Sequence, residues 1–107
     1  MYLWVTYDLT RTKARNQVVD VLESYGYRVQ KSVFEIEITE SDFIKLKMKL
    51  EKILKKAEIY YQENNMESND SVKFYILCKT GECNVEGRID GVGEWYQKIS
   101  FPEVMIL

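Results

Sequence analysis

"YRVQKSVFEIEIT", Tyr27–Thr39, decides the fold of this chain, because its apolar side chains change parity part-way along. Val29 and Val33 share one parity and Phe34, Ile36 and Ile38 share the other. Strand side chains alternate strictly between faces, so a switch near Ser32 to Phe34 marks a bulge, a tight turn or a strand that changes neighbours. The pattern predicts a short strand over 27–30 and a longer one over 33–39.

Working outward, a helix is expected on each side of this pair. On the N-terminal side, Ala14, Val18, Val21, Leu22 and Tyr25 fall on one helical face, with Thr10 or Thr12 as the cap and Gly26 as the C-terminal stop. On the C-terminal side, Ser41 is placed to cap a long helix whose apolar face is Phe43, Leu46, Leu50, Ile53, Leu54 and Ala57. "YLWVTY", Tyr2–Tyr7, is almost continuously apolar and reads as a central strand buried on both faces. Residues 62–71, "QENNMESNDS", read as a loop, and "VKFYILC", Val72–Cys78, as another buried strand.

The resulting order, β-α-β-β-α-β, predicts an α+β, ferredoxin-like fold with an antiparallel sheet. Residues 85–93, "VEGRIDGVG", carry three glycines, which weakens them as regular structure. Pro102 introduces "EVMIL", apolar enough to add an edge strand. The expectation is one domain over 1–107.

A chain of 107 residues with 46% apolar content suits one compact domain that gains from pairing with a copy of itself. The N-terminus lacks the basic region of a signal peptide, and no apolar run approaches the roughly 20 residues of a membrane span. The expected location is the cytoplasm, without membrane contact. There Cys78 and Cys83 are expected as free thiols. The absence of histidine excludes Ser-His-Asp and Cys-His catalysis and the usual zinc sites within this chain. "GRIDGVG" lacks the Lys-Ser/Thr ending of a phosphate-binding loop.

Asp8 ends the first strand, at the edge where sheet proteins place ligand sites. One reading is an Asx-turn that starts the next helix. The other is a magnesium ligand, in which case a symmetric dimer would supply a second carboxylate. Arg11, Lys13 and Arg15 follow in the first helical turns, where the macrodipole favours anions, so they are either a solvated basic turn or a phosphate contact. Lys45, Lys49, Lys52 and Lys56 recur at i, i+4, i+7 and i+11, a stripe read as lying opposite the apolar face. Lys47 and Lys55 flank it. It is either a solvated face or a surface that tracks a phosphate backbone. Trp4, Tyr7, Tyr25, Tyr27 and Phe34 are read as core or dimer-interface residues.

"VTYDLTRTKARNQVVDVLESYGYRVQKSVFEIEIT", with the later "DSVKFYILCK", resembles the CRISPR-associated protein two family, the small partner in acquisition of new spacers. The matching features are the strand ending Tyr-Asp, an arginine seven residues after that aspartate, the Tyr-Gly helix end and "RVQKSVFE". The resemblance covers residues 1 to 78. It implies a ferredoxin-like homodimer with Asp8 of each chain near the two-fold axis, where Mg2+ or Mn2+ is shared. It also implies that Asp8, Tyr7, Arg15, Arg28 and Phe34, with Ser32, are residues of that catalytic site or of the dimer interface, and that residues 82–107 are a C-terminal extension or a strand swapped to the partner's sheet, whose "FPEVMIL" contacts the integrase. Where some relatives carry a second basic residue two positions after the helix arginine, this chain has Gln17.

The function expected first is a dimeric scaffold that holds double-stranded DNA by its backbone between dimers of the integrase, CRISPR-associated protein one. Arg11, Lys13, Arg15, Lys45, Lys49, Lys52 and Lys56 would carry that contact. The alternative is a metal-dependent endonuclease acting on RNA or DNA through paired Asp8 carboxylates. A toxin-like RNA endonuclease on the same fold is a third reading.

Overall fold

The computed structural model describes residues 1–78 and 88–93, so Cys83, Pro102 and the "EVMIL" segment lie outside the described residues. The elements follow as β1 (Tyr2–Asp8), α1 (Thr12–Glu23), β2 (Gly26–Gln30), β3 (Val33–Glu37), α2 (Glu40–Glu63), β4 (Ser71–Cys78) and β5 (Arg88–Gly93). Every strand pair is antiparallel, and the sheet order is β2-β3-β1-β4-β5. The first four strands have the order of a ferredoxin-like sheet, and β5 adds an edge beyond β4. Residues 88–93 thus form regular structure despite their glycines, because β4 supplies a full ladder for them from Ser71 to Ile76.

The parity switch in Tyr27–Thr39 has both of its predicted causes. A register shift between Arg28 and Gln30 leaves Val29 bulged, and Lys31 and Ser32 turn the chain into β3. Gly26 is not the left-handed helix stop expected from sequence; it opens β2. A Cβ there would collide with the Glu35 carbonyl oxygen of the neighbouring strand, so the requirement is close backbone approach.

Leu3, Val5 and Tyr7 of β1 are buried, whereas Tyr2, Trp4 and Thr6 are only half-buried. The central strand is therefore covered on one face, not on both. Both helices pack on that face, where Leu3, Val5, Phe34, Ile36, Val72 and Phe74 meet Val18, Leu22, Leu46 and Leu50 in one core. Each large side chain fully removed from water there contributes about 1.5–3 kcal/mol. Phe43 meets Phe74 edge-on, with ring centroids 5.1 Å apart. A smaller cluster of Ala14, Ala57 and Tyr61 joins the two helices.

The helix caps also differ from expectation. Thr39, not Ser41, caps α2, its hydroxyl accepting from the Asp42 amide at 3.2 Å. Neither Thr10 nor Thr12 caps α1; Arg11 occupies that place and has no side-chain capping bond. The α1 terminus is held from a distance instead.

Candidate active site

Asp8 closes β1, level with Ser71 of β4, and its side chain is exposed. Strand alternation puts it on the outer face with Thr6 and Trp4, away from Tyr7. Had Asp8 formed an Asx-turn, its carboxylate would accept the amide two residues on, that of Thr10. That amide donates instead to Asp70 Oδ1 at 2.9 Å. Next along the chain, the Arg11 amide donates to the Tyr61 hydroxyl at 3.0 Å, and that hydroxyl donates to Asp70 Oδ2 at 2.7 Å. Ser68 Oγ donates to Asp70 Oδ1 at 2.7 Å. Among the described residues the Asp8 carboxylate has no hydrogen-bond or ion-pair partner.

Asp70 is nearly buried, and all three of its contacts are donors. It also brings to the start of α1 the negative charge that the helix's own first turn lacks. Asp70, from the α2–β4 loop, thus supplies an anion next to this helix start, while Arg11, Lys13 and Arg15 make no ion pair with it. Burial, and then the bond to Asp70, raise the Tyr61 phenol above its ordinary value. Sequence reading placed Asp70 in a polar loop and missed this role. The available signal was negative: a helix start with no acid in its first turn and an arginine as its cap.

Three of the expected site residues meet on the other face of the strand end. The Tyr7 hydroxyl donates to the Lys31 carbonyl at 3.2 Å and accepts from Arg28 Nη2 at 3.4 Å. The Arg28 guanidinium lies 5.4 Å from the centre of the Phe34 ring, and the Tyr7 and Phe34 rings are 6.3 Å apart. Ser32 lies in the adjoining turn, half-buried. Arg15 joins neither group; its Nη2 donates to the Leu9 carbonyl at 3.0 Å, one residue past Asp8.

The four stripe lysines are all exposed on the side of α2 away from the buried face, and Lys49, Lys52 and Lys56 lean toward the flank next to α1. Lys49 Nζ donates to the Tyr25 hydroxyl at 2.9 Å, and Lys52 and Lys56 line a shallow depression of about 300 Å³ with Gln17, Asp20, Val21 and Ile53. An adjoining one is lined by Arg11, Lys13, Gln17 and Lys56. Arg11, Lys13, Lys52 and Lys56 therefore share an interhelical groove whose lining includes one acid, Asp20. Lys45 stands apart, 3.8 Å from Asp42, and the Arg11 guanidinium stacks 3.6 Å over the Tyr60 ring.

Among the described residues no three acids or cysteines converge on a possible metal position. Of the described helices, none is long and apolar enough to cross a membrane. Residues 1–84 match the family model described as CRISPR associated protein Cas2. A relative from Thermodesulfovibrio yellowstonii, named CRISPR-associated endoribonuclease Cas2 3, is 43% identical over 76 residues, 71% of this chain and 73% of its own. A protein of the same name from Synechocystis is 38% identical over 78 residues, 72% of this chain and 73% of its own. CRISPR-associated endoribonuclease Cas2 2 of Methanospirillum hungatei is 32% identical over 93 residues, covering 86% of this chain and 85% of its own. No solved structure matches the chain significantly. The relatives' names favour the nuclease reading over the scaffold reading placed first from sequence.

Proposed function

The chain belongs to the CRISPR-associated Cas2 family, and we propose that it is a divalent-metal-dependent endoribonuclease that works as a homodimer with Asp8 of each copy at a shared site. The observation that carries this reading is the Asp8 carboxylate itself: exposed at the end of the central strand, without a partner among the described residues, while Asp70 takes the turn bond that Asp8 would otherwise make. An exposed oxygen donor fits Mg2+ or Mn2+, ions commonly held by one or two carboxylates with water and phosphate completing the shell. One chain offers one such carboxylate, so the second would come from the partner copy. When bound, the ion supplies charge neutralisation at the phosphate and an acidified water.

The chain's own residues would do the rest. Asp8 holds the ion. Arg15 steadies the Leu9 carbonyl, and with it the backbone that carries Asp8. Arg28 faces the Tyr7 hydroxyl and the Phe34 ring at the strand end, where a guanidinium can pair with a phosphate. Substitution Asp8→Asn, which keeps the shape and removes the charge, tests the reading. Cleavage of single-stranded RNA is expected to need Mg2+ or Mn2+, to stop with chelator and to fall by at least a hundredfold in the variant. Undiminished cleavage by the variant would refute it.

A second reading, the DNA scaffold that partners the integrase, is favoured by the cationic groove between α1 and α2. A groove that follows a phosphate backbone without reading bases would accept duplexes of any sequence. The two readings separate on Asp8→Asn, because a scaffold keeps duplex binding and spacer integration when that charge is lost.

A further inference from the structure

We propose that Asp70, with Tyr61 as its intermediary, is a positioning residue that keeps the Asp8 carboxylate free for a ligand by occupying the backbone donors Asp8 would otherwise capture. It deepens, and rests on, the reading of Asp8 as a metal-holding residue. An aspartate at a strand end with an open amide two residues ahead is predisposed to close on it. Here that amide, Thr10 N–H, is already bound to Asp70 Oδ1, and the following one, Arg11 N–H, to Tyr61, which is itself bound to Asp70 Oδ2. Leu9 completes the set, its carbonyl taken by Arg15. From Leu9 to Arg11, three backbone polar groups are thus satisfied by side chains of other segments, and none by Asp8.

The identity of residue 70 matters chemically. It receives three donors, from Thr10, Tyr61 and Ser68, so an acceptor-only carboxylate satisfies all of them while an amide would turn its NH2 toward one. It is 9% exposed, so most of its contact is with these three donors rather than with solvent. Removal of the Asp70 carboxylate releases the Thr10 amide, and Asp8 is the nearest acceptor in the sequence able to take it. The site acid then becomes a turn acid.

Amide exchange and paramagnetic broadening by Mn2+ alone read the two halves of this proposal in Asp70→Ala, Asp8→Asn and the double variant Asp8→Ala/Asp70→Ala, which leaves neither side-chain oxygen to accept the Thr10 amide. Thr10 N–H is expected to stay protected in Asp70→Ala, where Asp8 captures it, and to lose protection in the double variant, whereas Asp8→Asn alone leaves it protected by Asp70. Mn2+ affinity at residues 7–10 is expected to fall roughly tenfold or more in Asp70→Ala, the scale seen when residues orienting a metal ligand are removed. Tyr61→Phe keeps the ring and frees the Arg11 amide and Asp70 Oδ2 while leaving the Thr10 amide on Asp70 Oδ1; it guards against misfolding of Asp70→Ala and is expected to weaken Mn2+ less. Loss of Thr10 protection in Asp70→Ala with unchanged Mn2+ affinity would overturn the proposal and leave Asp70 a purely structural cap. Unchanged Mn2+ broadening in Asp8→Asn would instead remove the metal role of Asp8, and the proposed function with it, while the exchange results still decide whether Asp8 and Asp70 compete for Thr10.

Discussion

The Tyr7 hydroxyl donates to the backbone carbonyl of Lys31 at 3.2 Å, which ties the end of the central strand to the turn between β2 and β3. The same oxygen accepts from Arg28. Tyr7→Phe keeps the ring against Phe34 and removes both bonds, so a loss of about 0.5–1.5 kcal/mol in unfolding free energy is expected. Urea denaturation measures it. If Arg28 also works on a phosphate, cleavage should fall in this variant by more than the stability change explains, because the guanidinium loses its anchor while the fold stays intact.

Gly26 sits where a methyl group would strike the Glu35 carbonyl oxygen and the Ile36 side chain. Backbone cannot step aside as a side-chain tip can, so Gly26→Ala must part β2 from β3. Overpacking of this kind costs about 1–3 kcal/mol. For a chain of this size each kcal/mol lowers Tm by roughly 4–8 °C. A variant that melts with the parent protein would show that the two strands do not approach so closely.

Sequence carried the fold further than it carried the site, and the reason is range. The hairpin followed from the parity of five side chains between Val29 and Ile38, and α2 from its apolar spacing, both properties of neighbours. The resemblance grouped Asp8 with Tyr7, Arg28 and Phe34, whereas the sheet brings Tyr7, Arg28 and Phe34 together on one face and sends Asp8 to the other. What caps α1 was not legible, because its acceptors, Tyr61 and Asp70, lie about fifty and sixty residues away. The lysine stripe was read on the exposed side of α2, where it lies, but its lean toward α1 was not legible. Its spacing fixes that the four lysines share a line on α2, but only the packing of α1 beside Ile53 and Ala57 decides which flank that line occupies.

On the outer face of the sheet, the Tyr2 phenol is raised from 10.0 to about 12, first by its hydrogen bond to Glu35, then by desolvation and by the Glu35 charge. A raised value means that the folded chain holds the proton more tightly than the unfolded one. The stabilisation is therefore fully present below pH 10 and is lost as pH rises through about 12. A phenolate absorbance titration should show one late-ionising tyrosine that disappears in Tyr2→Phe. In Glu35→Gln, Tyr2 is expected to ionise closer to its ordinary value. A late tyrosine that survives both changes would be Tyr61, whose shift rests on burial and on Asp70.

The interhelical groove makes a quantitative claim about salt. Lys52 and Lys56 line it with Arg11 and Lys13, whereas Lys45 lies outside it and near Asp42. Each phosphate contact contributes about 0.9 to the slope of log affinity against log salt for duplex DNA and about 0.7 for a single strand. Replacing Lys52 and Lys56 together by Glu should therefore lower the duplex slope by about 1.8, with the single-strand slope falling by about 1.4. Lys45→Glu should change it by less, since an exposed pair of this kind is worth only about 0–1 kcal/mol and Asp42 already competes for the charge. Equal effects from Lys45 and the groove lysines would mean that net charge, not the groove, attracts nucleic acid. A drop in slope with single strands but none with duplex would assign the groove to the RNA substrate and count against the scaffold reading.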